Sequence, residues 1–306
     1  MTDNILLVIV GPTAIGKTEL SIDIARQLGT EIISCDSRQI YKELKIGTAR
    51  PAKNQLAEVK HHFIASISIK DYYNASMFEF AVIDLLSELF KKNKFVVMTG
   101  GSGLYADAVC KGIDDLPAIE PEIRTNLLKR LTDEGMVSLR QELIKIDPDY
   151  CSTADIKNPK RILKALEVYY MTGQPYSKFL TKKNKSRDFR IIKIGLNRER
   201  RELYEIIDQR VDSMMQNGLL EEARSLYHTR NQNALNTVGY KELFDHFEGK
   251  HSLEKAIELI KRNSRRYAKR QLSWFARDKE IVWFHPEQKQ KIWEYLNKTI
   301  VNSKIT

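Results

Sequence analysis

The chain has 306 residues, 42% of them apolar and 29% charged, which is enough for one large domain or two smaller ones with ample core. No apolar run reaches membrane-spanning length, and Cys35, Cys110 and Cys151 are too few and too scattered for a disulfide framework or a Cys-x-x-Cys zinc site. Fifty Lys and Arg against forty Asp and Glu leave a formal +10, so a polyanionic partner is expected; with no basic leader at Met1, the expected location is the cytoplasm.

Ile5–Val10 is an unbroken apolar run and reads as a buried strand. It feeds GPTAIGKT at 11–18, a G-x-x-x-x-G-K-T loop, and residues 19–28 read as the helix that the loop opens. Glycines let such a loop curl so that successive N–H groups point inward. Lys17 adds a mobile positive charge, and the Thr18 hydroxyl suits Mg²⁺. The dipole of the following helix faces the same anion. The loop therefore predicts phosphate binding, without saying what carries the phosphates or which bond breaks.

Residues 31–35 read as a second strand ending at Asp36, residues 77–90 as an amphipathic helix, and residues 95–99 as a third strand running into Gly100-Gly101-Ser102-Gly103. Alternating strands and helices predict a parallel sheet, and ligands of such sheets sit at the strands' carboxyl ends. The loop, Asp36-Ser37 and residues 100–103 are therefore expected at one rim. From about Asp114 only helices are expected. One starts at Pro121 and ends near Gly135, one spans 137–146 and stops at Asp147-Pro148, and one runs from the Asn158-Pro159 cap to Gly173. A basic stretch at 182–190 follows, then a strand at 191–196, mostly helix, and a last strand at 281–284. The predicted fold class is α/β, a P-loop nucleoside-triphosphatase-like parallel-sheet core from 1–113 and 191–306 with a helical insertion domain at 114–190.

Asp36 has two readings, a turn cap or a carboxylate that takes a proton or binds a substrate hydroxyl. Gly100-Gly101 stands where a Walker-type ATPase carries an Asp for Mg²⁺, which argues against a motor or switch ATPase. Lys160, Arg161 and Lys164 crowd the first turns of their helix, where the dipole prefers acidic residues, and this local conflict points to a bound anion. Arg262, Arg266, Lys269 and Arg270 share one helical face with Tyr267, Trp274 and Phe275 interleaved. Such a face suits RNA, although Trp274 and Phe275 also read as core beneath solvated cations. His61-His62 has no partner at zinc-ligand spacing and reads as structural.

In chain order, GPTAIGKT at 11–18, DSRQIY at 36–41, IGTARP at 46–51, GGSGLY at 100–105, NPKRILKALEVYYMTGQP at 158–175, VGYKE at 238–242 and AKRQLSWFAR at 268–277 resemble the bacterial tRNA dimethylallyltransferases, which prenylate adenosine 37 beside the anticodon. Ile15 and Ser102 depart from the family's Ser and Thr at those positions, and Ile15 loses a hydroxyl. The resemblance implies that Gly11, Pro12, Thr13, Ala14, Ile15, Gly16, Lys17, Thr18 and Arg210 hold the diphosphate of dimethylallyl diphosphate as leaving group. It implies Mg²⁺ near Thr18, Thr13 beside the bridging oxygen, and Asp36 as general base for N6 of a flipped adenine. It places tRNA contacts at Asp36, Ser37, Arg38, Gln39, Ser102, Arg124, Lys160, Arg161, Ile162, Leu163 and Lys164. A monomer without membrane attachment is expected. A P-loop kinase of a small metabolite and a nucleic-acid-binding NTPase remain as alternatives from the first 110 or so residues alone.

Overall fold

The computed structural model describes residues 3–117, 119–181 and 184–301. The chain divides into two compact units, residues 1–111 with 186–306, and residues 112–185. The first unit is built on a wholly parallel sheet of six strands: β1 (Ile5–Val10), β2 (Ile32–Ser34), β3 (His61–His62), β4 (Phe95–Gly100), β5 (Arg190–Leu196) and β6 (Val282–Phe284). Their order is β3-β2-β4-β1-β5-β6. The helices before the second unit are α1 (Lys17–Gln27), α2 (Lys53–Glu58), α3 (Ala75–Leu89) and α4 (Gly103–Lys111). The second unit holds α5 (Pro121–Asp133), α6 (Gly135–Ile146), α7 (Pro148–Thr153) and α8 (Pro159–Thr172). The first unit then resumes with α9 (Arg200–Gln216), α10 (Leu219–Leu226), α11 (Tyr240–Phe247), α12 (Leu253–Phe275) and α13 (Lys289–Val301).

β1 lies between β4 and β5 along its whole length, with Val10 opposite Gly100 and Gly195. All six of its residues are buried, as a strand covered on both faces requires. Ile5, Leu7 and Ile9 pack on one face with α1, α9 and α13, while Leu6, Val8 and Val10 pack on the other with α3 and α4. The connection leaving β1 runs towards β2 and the one leaving β4 runs across to β5, so α1 and α4 cover opposite faces. Between the carboxyl ends of β1 and β4 this leaves the crevice where such sheets bind ligands. A third core, built from residues 40–44 and α9 to α12, sits apart from the sheet. β3 went unforeseen, because two half-buried histidines carry no alternating pattern.

In the second unit Leu127, Leu139, Leu143, Ile162 and Leu166 form the core. Asn158 caps α8 by accepting from the Lys160 amide at 3.0 Å, and Gly173, at φ +70°, closes the helix. Asp147-Pro148 does more than stop α6. Asp147 is buried and its Oδ1 accepts from the Tyr150 amide at 3.0 Å, which starts α7. Of the basic stretch 182–190, Lys182 and Lys183 lie outside the described residues. Arg187 is tied into the sheet unit by the Glu79 carboxylate at 2.7 Å.

Candidate active site

Where β1 ends, the chain passes hard against β5. A Cβ at Gly11 would stand 2.6 Å from the Leu196 carbonyl oxygen, and its φ of +151° disfavours any side chain. Gly16, at φ +95°, turns the chain into α1. Lys17 Nζ donates to the Pro12 carbonyl at 2.7 Å, which folds the ammonium back over the loop. Burial pulls the Lys17 pKa down to about 8; Asp36 opposes this and Arg210 adds to it. Burial likewise lowers Arg210, on α9, again against the pull of Asp36. These charges surround a cavity of about 680 Å³ bordered by Thr13 to Thr18, Asp36, Arg38, Gly101 and Arg210. Gly11 and Pro12 are buried and do not border it.

Both readings of Asp36 have a basis in the geometry. Its Oδ1 accepts from the amides of Arg38 at 2.9 Å and Gln39 at 3.2 Å, which is a turn cap. Its Oδ2 has no hydrogen-bond partner among the described residues, and Asp36 borders the cavity. Ser37 and Ser102 do not border the cavity and join each other: Ser102 Oγ accepts from the Ser37 amide at 2.9 Å and donates to Ser37 Oγ at 3.0 Å.

At three of the expected contact residues the side chain is already packed or bonded within the protein. Ile15 is wholly buried among the sheet-core residues, so a hydroxyl at that position would face apolar neighbours and its loss removes no exposed polar group. Gln39 Nε2 donates to the carbonyls of Thr48 and Ala49, so this amide nitrogen braces the 46–51 loop. Ile162, expected at the tRNA surface, is 0% exposed in the helical core and its side chain cannot reach one. Leu163 packs partly on that core, while Lys160 and Arg161 are exposed. Arg124 bonds the buried Glu167 at 2.9 Å. Burial holds Lys164 below the usual lysine value, against the pull of Glu167.

The Gly-Gly-Ser-Gly turn needs room rather than unusual backbone angles. A Cβ at Gly100 would meet Cys35 Sγ at 2.6 Å, one at Gly101 the Gln271 amide nitrogen at 2.2 Å, and one at Gly103 the Trp274 ring at 2.3 Å. Trp274 is not core: it is 37% exposed, with its indole N–H donated to Asp107 at 2.8 Å. Phe275, at 4%, is core. Arg262, Arg266, Lys269 and Arg270 all stand in solvent on α12. The histidines of β3 bond locally, His61 Nδ1 to the Val59 carbonyl at 2.7 Å and His62 Nε2 to Glu31 at 2.5 Å.

Of the inner face of α12, sequence reasoning named Tyr267 alone, as an aromatic among cations. Ile260, Ser264, Tyr267 and Gln271 border the cavity at helical spacing, and that periodicity was available as a signal. Burial and the nearby Asp36 raise the Tyr267 phenol to about 12. Glu222 was missed as well. Its carboxylate accepts from the amides of Lys45, Ile46 and Gly47 at 3.0 to 3.2 Å and from the Tyr240 hydroxyl at 2.6 Å, which holds the IGTARP loop against VGYKE.

The model of the family described as IPP transferase matches residues 39–278. The chain is 52% identical to tRNA dimethylallyltransferase 1 of Bacteroides fragilis over 98% of its own length and all of that protein's. It is 53% identical to tRNA dimethylallyltransferase 2 of Parabacteroides distasonis over 97% of its length and all of the relative's. Among solved structures it is similar to the tRNA isopentenylpyrophosphate transferase of Bacillus halodurans, with TM-score 0.71, 34% identity and 98% of each chain covered. A eukaryotic dimethylallyltransferase caught acting on tRNA gives TM-score 0.74 at 26% identity, over 89% of this chain and 70% of that one.

Proposed function

The chain belongs to the IPP transferase family, the tRNA dimethylallyltransferases, and is a prenyltransferase enzyme acting on tRNA; from that premise we propose that it transfers the dimethylallyl group of dimethylallyl diphosphate to N6 of adenosine 37, with Asp36 as general base. Membership sets aside phosphoryl transfer to a small metabolite, the other reading of the loop. Carbon is attacked, and diphosphate departs.

The N6 lone pair is delocalised into the adenine ring, so the amine is a weak nucleophile until its proton has somewhere to go. The observation that carries the reading is Asp36. One oxygen is pinned by two amides and the other is unpartnered, on the wall of a cavity that also holds Lys17 and Arg210. The amides fix the carboxylate's direction, and the free oxygen accepts the proton as the C–N bond forms. Negative charge then grows on the departing diphosphate, where Lys17, the loop amides and Arg210 stabilise it, with Thr13 beside the bridging oxygen. The Thr18 hydroxyl borders the cavity with no partner, and no cluster of three His, Cys, Asp or Glu fit for a metal occurs, both among the described residues. An oxygen donor of this kind fits Mg²⁺: the Thr18 hydroxyl would hold the ion, which when bound would neutralise diphosphate charge. The adenine must leave its stack to reach Asp36. Ser37, Arg38, Ser102, Arg124, Lys160, Arg161 and Lys164 are the groups we assign to the tRNA.

Asp36→Asn tests the base role cleanly, because the carboxamide oxygen keeps both amide bonds while the proton acceptor is lost. Incorporation of labelled prenyl into tRNA should fall by about 10²- to 10⁴-fold with tRNA binding retained. An unchanged rate overturns the assignment.

A further inference from the structure

We infer that Gln271 is a positioning residue that sets the spacing between the leaving-group loop and the base-bearing end of β2, an inference resting on the roles proposed above for Thr13 and Asp36. Gln271 lies on α12, is 6% exposed, and reaches two segments remote from it in sequence. Its Oε1 accepts from the Thr13 amide at 2.8 Å, and its Nε2 donates to the Gly101 carbonyl at 2.7 Å. The next residue after Gly101 is Ser102, whose hydroxyl is bonded to the amide and hydroxyl of Ser37, the neighbour of Asp36. One carboxamide thus links the donor side of the cavity to the acceptor side through hydrogen bonds joined by short stretches of backbone, Gly101-Ser102 and Ser37-Asp36.

The chemistry favours this side chain. The site presents one donor, the Thr13 N–H, and one acceptor, the Gly101 carbonyl, and a carboxamide of this length offers the complementary pair at any pH, as an ionised carboxylate does not. Gly101 is what allows the approach, since a Cβ there would lie 2.2 Å from Nε2. The helix carrying the carboxamide is anchored on both sides of the sheet: Ala268 packs in the core on one face and Phe275 in the core on the other. The Thr13 amide is also engaged by Gln271, so the loop presents diphosphate with the amides of its later residues and not with this one. Gln271 acts on geometry, and it touches neither the leaving group nor the adenine in this account.

The test uses the full-length enzyme with Gln271→Glu, Gln271→Met and, from the opposite side of the same bond, Gly101→Ala. Single-turnover transfer of labelled prenyl to tRNA should fall by about 100-fold in each, since misplacement by about 1 Å is enough for such a loss. The dissociation constant for inorganic diphosphate should move by less than about threefold, which separates lost geometry from lost binding. In Gln271→Glu alone, the rate relative to wild type should recover as pH falls, because a protonated carboxyl regains an O–H donor for the Gly101 carbonyl. A loss of folding alone would give Glu and Met the same pH profile. Rates within about threefold of wild type, matching pH profiles, or a rate loss mirrored by lost diphosphate affinity each overturn the inference. Asp36→Asn assayed alongside keeps the two questions apart: a retained rate there overturns the base assignment, whereas a retained rate in the Gln271 variants overturns this one.

Discussion

Lys17 is held in the cavity as a charge that folding disfavours. Its folded pKa of about 8 lies below the ordinary lysine value of 10.5, chiefly through burial. The stability deficit is therefore complete below about pH 8 and disappears as pH rises towards 10.5. Removing the charge should stabilise the unliganded enzyme: Lys17→Met is expected to raise the thermal midpoint at neutral pH by about 2 °C or more, with the gap closing in strong alkali. On the role proposed for Lys17, an arriving diphosphate needs the charged form, so wild-type affinity for inorganic diphosphate should weaken above about pH 8, by at most about tenfold per pH unit. Calorimetric titration across that range checks it, and the slope should vanish in Lys17→Met. Equal slopes in the two proteins would contradict this account. At the same scale, Ile15 serves two ends: its side chain belongs to the sheet core, which leaves its backbone amide as the group it offers to the cavity.

At the scale of elements, α12 and the turn after β4 are shaped to each other. Gly101 admits the Gln271 carboxamide and Gly103 admits the Trp274 ring, which in turn holds Asp107 of α4. Gly103→Ala should cost about 1–3 kcal/mol of stability in urea denaturation, because the methyl group must push the indole off its hydrogen bond. Combining it with Trp274→Leu should recover part of the loss, since the clash goes with the ring; strictly additive costs would count against the contact. From the sequence, Gly100-Gly101 stood out for occupying the place of a Walker-type Asp. None of the three glycines needs a positive φ, and the reason for each is a partner supplied by a segment far along the chain or across the sheet.

Over the whole molecule, the surplus of +10 leaves four cations of α12 (Arg262, Arg266, Lys269 and Arg270) standing in solvent, while Ser264, Tyr267 and Gln271 of the same helix line the cavity. Charge and chemistry thus sit on different faces of one element. Replacing Arg262 and Arg266 by Gln should weaken tRNA binding and flatten its dependence on salt by about two units of slope, with diphosphate affinity unchanged. Filter binding at several salt concentrations reads this directly, and an unaltered slope would remove these residues from the tRNA surface. The described helices include none long and apolar enough to cross a membrane.

Local pattern was enough for β1, the loop it feeds, the α8 caps at Asn158 and Gly173, and the gathering of 11–18, Asp36 and 100–103 at one rim. Each of these depends on neighbours within a few residues or on the rule that parallel strands bind ligands at their carboxyl ends. Only the tertiary structure could decide that Ile162 and Ile15 are core, that Gln39 braces a loop, and that Glu222 and Gln271 hold distant segments in place. The reason is physical: a side chain's partners across the fold leave no periodic trace in the chain that carries it, because they are fixed by packing between segments whose separation in sequence is arbitrary.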